Sequence, residues 1–213
     1  MTNPIPYIFI MMIFVSCRCN STSNAIVEDS DTTKVESWAS DPDVPLIQKN
    51  LELHLKAQSE GDFVTFTRYA YPRLFETMDK AEVIKTMETY RAEGMIQEMK
   101  LIQMKFVSPA FADSLYKFRL IKFDGIMTIQ FSPDYGTDPK SFFNMLKEEH
   151  GEEFMVYDEE KKKYTIEREF PMYATCPVDS TDWTFLNYTY TTMSGSAQIF
   201  PFEVVRQLKT FEK

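Results

Sequence analysis

The hydrophobic period changes from helical to alternating near Gly94, and that change limits the available folds more than any other feature. Before Gly94, apolar residues recur at helical spacing. Leu46, Ile47, Leu51 and Ala57 share one side of a helix over 41–60, with Lys49, Glu52, Lys56 and Glu60 on the other. Asp41-Pro42, or Asp43 with Pro45, opens this helix and Gly61 closes it. A second helix is predicted over 62–78, N-capped by Asp62 and broken at Tyr71-Pro72. Asp79 opens a third helix, with Glu82 placed as in a capping box, and Gly94 ends it.

After Gly94 the pattern alternates. Residues 97–109, 115–123 and 126–131 read as strands, with Asp124-Gly125 as a two-residue hairpin turn. A short helix over 138–150 follows. Next come a hairpin of 153–157 with 163–170 around the tip DEEKKK, strands from Pro171 and from Trp183, and a closing helix over 201–211. Helices segregated from antiparallel strands predict an α+β fold rather than a parallel α/β sheet.

The amino-terminal segment obeys neither pattern. Ile5 to Val15 is uncharged and apolar, about 11 residues long, against the ~20 a membrane-spanning helix needs. It fits the hydrophobic region of an export signal. The run ends Phe14-Val15-Ser16-Cys17, which resembles a bacterial lipobox. That resemblance implies a lipoprotein signal over 1–16 and acylation of Cys17, with several acyl chains enough for stable anchoring. The expected location is then the bacterial cell envelope, with membrane attachment through the lipid; the alternative is ordinary secretion. Residues 17–40 are rich in Ser, Thr, Asn and Asp and read as a flexible tether, leaving 41–213 as a single domain.

A formal charge of -9 argues against partners with phosphate backbones; nucleic acid is excluded on this ground. Three cysteines do not make a disulfide scaffold. The chain contains no P-loop, dinucleotide fingerprint or nucleophile elbow. No cofactor is expected. Neither histidine stands at metal-ligand spacing, and His150, in the run His150-Gly-Glu-Glu, reads as exposed.

The string GDFVTFTRYAYPRLFETM, together with Asp179-Ser-Thr-Asp-Trp-Thr-Phe-Leu186, resembles uncharacterised bacterial members of the nuclear transport factor 2-like superfamily, over residues 44–211. The resemblance implies a cone in which amino-terminal helices pack across the concave face of a curved antiparallel sheet. It also implies a homodimer through the sheet as one arrangement. The superfamily contains ketosteroid isomerase, scytalone dehydratase, SnoaL-type cyclases and non-catalytic binders, so the fold does not transfer chemistry.

His54 falls between Ile47, Asn50 and Leu51 on the helix surface and points inward. His54, Tyr69, Tyr71 and Trp183 are the expected ligand-binding residues of an internal pocket, with Tyr173 a weaker candidate. No catalytic constellation is evident. The reading is a binding or interaction module for a small molecule, peptide or envelope protein. The alternative is an isomerase- or dehydratase-type enzyme using His54 as base and Tyr71 as hydrogen-bond donor.

Overall fold

The computed structural model describes residues 38–187 and 199–211. The expected signal, Cys17, Cys19 and most of the tether lie outside the described residues. No described helix is long and apolar enough to cross a membrane.

The first helix, α1, spans Val44–Glu60 and stops at Gly61, whose φ of 78° is the left-handed cap that favours glycine. Asp43 does not cap it with its side chain. Asp41 and Asp43 instead both accept from Arg119 Nη2 of the sheet, at 2.8 and 3.0 Å. Arg119 Nη1 donates to Ser108 O at 2.9 Å, and its guanidinium lies over Trp183. A buried cation thus fixes where α1 begins.

The second helix is shorter than its sequence predicts. Asp62 caps α2 (Phe63–Arg68) by accepting from Thr65 N at 3.0 Å. The chain leaves the helix at Tyr69, before the proline, because its backbone finds a better partner. Phe185 N donates to Tyr69 O at 2.7 Å and Tyr71 N donates to Phe185 O at 2.9 Å. Tyr71 is extended, as the residue before a proline prefers, and Pro72–Glu76 forms a 3-10 turn. Asp79 Oδ1 accepts from Ala81 N and Glu82 N at the start of α3, Lys80–Ala92.

The strands are β1 (Met95–Val107), β2 (Phe111–Ala112), β3 (Tyr116–Phe131), β4 (Met155–Asp158), β5 (Lys163–Pro177) and β6 (Thr184–Asn187). They form one antiparallel sheet of order β1-β3-β5-β4, with β2 on β3 and β6 on β5. Between β3 and β4 lie a 3-10 turn, Pro139–Phe142, and α4, Phe143–His150. The closing α5 covers Phe202–Leu208. Fold class is therefore α+β: helices packed on a curved antiparallel sheet, as in a cone.

Asp124-Gly125 is not a hairpin turn. It sits inside a continuous β3, where Asp124 pairs with Gln103 and Glu169, and Gly125 with Leu101 and Arg168. Beside it β1 shifts register at Leu101/Gln103 and again at Met104/Phe106. Bulges of this kind bend a sheet. A Cβ on Gly125 would stand 3.0 Å from Lys100 O and 3.2 Å from the rings of Phe123 and Phe170. The glycine is there for close approach at the bend.

Likewise, Pro171 does not begin a new strand. It lies within β5, between the segment paired to β4 (163–166) and the segment paired to β6 (172–175). In that gap a residue without an N–H leaves no outer ladder position unfilled.

The main core fills the concave side: Ile47, Leu51 and Leu55 of α1 meet Met99, Met104, Phe123, Met127, Ile166 and Trp183. A second core lies on the opposite face at one end of the sheet, where Phe118, Leu120 and Tyr173 meet Tyr71, Phe200 and Leu208. Residues 118–121 are consequently buried on both faces.

Candidate functional site

The cone is mostly filled by its own Phe, Met and Trp side chains, but not entirely. A cavity of about 60 Å³ remains where α1 and α2 cross the sheet. That exceeds the ~10–15 Å³ that holds one water and falls below the ~300–1,000 Å³ of a drug-sized pocket. Its wall is apolar (Leu55, Phe66, Met78, Met99, Phe170 and Met172 among others) except for His54, Gln58, Thr67, His150 and Asn187. The chain has two histidines, and both line this cavity.

His54 comes from the inward face of α1, as its spacing with Ile47 and Leu51 predicts, and is 4 % exposed. Its imidazole stacks on Phe66, with centroids 4.4 Å apart and planes at 17°, and sits 5.6 Å from the Phe185 ring. Burial lowers its pKa to about 4, only partly opposed by a hydrogen bond with the Phe66 backbone. It is neutral at pH 7. Nδ1 is buried and has no hydrogen-bond partner among the described residues. Gln58, one turn further along the same face, is 2 % exposed, and its Oε1 is similarly unpartnered.

His150 corrects an expectation, since its polar surroundings in sequence read as exposed; it is 3 % exposed. It ends α4, and Arg168 of β5 explains its place. Arg168 Nη1 donates to the carbonyls of His150 at 3.1 Å and Glu149 at 3.4 Å, so a cation caps the helix C-terminus. Gly151, at φ 87°, then turns the chain away. The His150 ring stands edge-on to Phe170, centroids 6.2 Å apart. Its Nε2 is 3.4 Å from Glu149 Oε1, and that carboxylate is itself buried. Burial, with a smaller effect from the Arg168 cation, lowers the His150 pKa to about 3.

The other expected pocket residues stand elsewhere. Tyr71 is fully buried in the second core, edge-on to Tyr116, Phe118 and Phe200, and burial raises its pKa to about 12. Trp183 is fully buried in the main core, under Lys117 and Arg119. Tyr69 is half-buried against that core. Tyr173 belongs to the second core. None of the four lines the cavity. The structure gathers His54 with Gln58 and His150, neither of which sequence reasoning placed there.

Among the described residues the cavity has no cysteine or serine and no set of metal ligands. Cys176 lies outside it, its Sγ 3.1 Å from Ser180 O, and burial raises its pKa. Among the described residues no three His, Cys, Asp or Glu side chains gather as metal ligands do.

The architecture defines the class: an α+β chain with amino-terminal helices across the concave face of a curved antiparallel sheet and a small internal cavity beneath them. No family model matches the chain, and no curated protein matches it. Among solved structures it is similar to a crystal structure of a candidate dehydratase of the nuclear transport factor 2-like family from Streptomyces avermitilis. The TM-score is 0.37 and the identity 13 %, over 68 % of this chain and 91 % of that one.

Proposed function

We propose that this chain is a binding module for a small molecule, carried on the bacterial envelope by an acylated Cys17 and held off the membrane by the 17–40 tether. It is read as a lipoprotein member of the nuclear transport factor 2-like superfamily. One observation carries the binding reading: His54, Gln58 and His150 stand on the wall of one otherwise apolar cavity. Apolar surroundings with a few convergent polar groups are the usual form of a ligand site. Native mass spectrometry of the purified full-length protein tests it. A co-purified adduct lost in His54→Phe is expected; a bare protein mass sinks the carrier reading. The same spectrum reports whether a homodimer is present. Palmitate labelling of wild type against Cys17→Ala tests the anchor, and unchanged labelling leaves ordinary secretion.

A second reading, an isomerase- or dehydratase-type enzyme, is favoured by the buried Glu149 carboxylate 3.4 Å from the His150 imidazole. A base oriented by a carboxylate is a common catalytic pairing. In this reading His54 and His150 share the proton traffic and Tyr71, which faces the second core, has no part. Incubating the co-purified molecule with protein in D2O distinguishes the two. No deuterium gain beyond that seen with His54→Phe removes the enzyme.

A further inference from the structure

We infer that the cavity takes a neutral ligand with a hydroxyl at the end of an otherwise apolar body; this rests on the binding reading above. Three observations define the chemistry.

The first is charge. No Asp, Glu, Lys or Arg is among the residues that line the cavity. Glu149 and Arg168 contact His150 but neither lines the wall, so an ionised ligand would lose its hydration with no counter-charge in direct contact, a cost beyond what apolar contact returns. Anions and cations are both excluded on this ground.

The second is hydrogen-bonding capacity. Gln58 Oε1, His54 Nδ1 and His150 Nδ1 are buried, and none has a hydrogen-bond partner among the described residues. Their side chains are 2–4 % exposed, so bulk solvent does not reach them. A carboxamide oxygen only accepts, and a neutral imidazole offers one donor and one acceptor. A partner that satisfies this set must donate, to Gln58 Oε1 at least, from a small volume. A hydroxyl donates; an ether, a halide and a hydrocarbon do not.

The third is size and compliance. About 60 Å³ admits only a few heavy atoms, so the cavity holds the polar end of the molecule. Met78, Met99 and Met172 share the wall beside that end. Methionine repacks at low cost, which suits an apolar remainder of variable shape.

The two histidines give the test an unusually clean readout, because every imidazole signal of the chain comes from this cavity. The untagged full-length protein, labelled in its histidine rings, is titrated at pH 7.5 with four probes of similar length: 1-butanol, 1-chlorobutane, butanoate and butylammonium. Saturable shifts of both rings with 1-butanol are expected, with at least tenfold weaker binding of 1-chlorobutane and no saturable shift with either ion. In Gln58→Leu, which removes an unpartnered polar atom from the core and should fold, the preference for the alcohol over the chloride should shrink severalfold.

An ion that binds as tightly as the alcohol, or a chloride that equals it, overturns the hydroxyl class while leaving a small-molecule site standing. Full preference retained in Gln58→Leu also overturns it. No saturable shift with any probe means a cavity filled by water alone, which overturns the inference; the adduct mass decides the binding reading separately.

Discussion

The imidazole of His54 lies flat on the ring of Phe66, 4.4 Å between centroids, so the first two helices meet through a neutral histidine. Protonating it would put a charge into a stack with no counter-ion beside it. Both histidines have folded-state pKa values far below the ordinary 6.5, about 4 for His54 and about 3 for His150. A histidine lowered in this way contributes stability that is complete above pH 6.5. That stability is lost as pH falls from 6.5 toward the folded values.

Stability should therefore hold from pH 8 to 6.5 and then decline by about 1.4 kcal/mol per pH unit for each histidine. His54 alone contributes about 3 kcal/mol across its window, a large part of a typical domain's ~5–15 kcal/mol. Urea midpoints at pH 7.5, 6.0 and 5.0 measure this. His54→Phe, which keeps a stacked ring, should halve the slope and leave the share of His150; a wild-type profile that is already flat between pH 6.5 and 4.5 contradicts it.

Arg168 holds the end of α4 by its carbonyls and lowers the His150 pKa through its charge. Arg168→Met should raise the His150 pKa and broaden its ring signals as the helix end loosens. Titration of the two imidazoles by NMR separates this from a global effect, since His54 should not move. Equal movement of both rings would mean that Arg168 acts through the whole fold.

The Arg119 guanidinium, 6 % exposed, joins Asp41 and Asp43 to Ser108. Arg119→Met removes the buried partner of two carboxylates that are about a quarter exposed. Breaking a fully buried pair costs about 3–5 kcal/mol; partial solvation of the carboxylates brings this to about 2–3 kcal/mol. Amide exchange at 44–47 should accelerate more than the global opening rate. A loss below about 1 kcal/mol would show that the aspartates are satisfied by water.

Gly125→Ala places a methyl 3.0 Å from Lys100 O and 3.2 Å from two rings. Alanine in a strand interior ordinarily stabilises relative to glycine. Here it should destabilise by about 1–3 kcal/mol, and Gly125→Val by more. A raised melting temperature in Gly125→Ala would show that the bend relaxes.

Periodicity and caps are local, so the helices, the capped starts at Asp62 and Asp79 and the class of fold are legible in the amino-acid sequence. His54 is legible for the same reason: its neighbours on the helix surface are Ile47 and Leu51. His150 is not, because its burial depends on Arg168 in β5, and nothing near Gly151 in sequence signals that contact. Asp124-Gly125 misleads because a turn dipeptide and a glycine at a bend look alike; only the bulged partner strand tells them apart. The expected pocket tyrosines stand away from this cavity for a related reason. The backbone at Tyr69–Tyr71 pairs with Phe185, which turns Tyr71 toward the second core, and that pairing spans more than half the chain.

The interruption of β5 at Pro171 also bears on how this protein behaves when crowded. Unpaired strand edges invite another chain to add itself and grow an aggregate. Here one edge is divided between β4 and β6, with Glu167, Arg168, Glu169 and Pro171 in the gap. The opposite edge, β1, shifts register twice and carries Glu98, Lys100 and Lys105. Among the described residues neither side presents a long, flat, uncharged template, and the bend that shapes the cone thereby guards it against fibre-like growth.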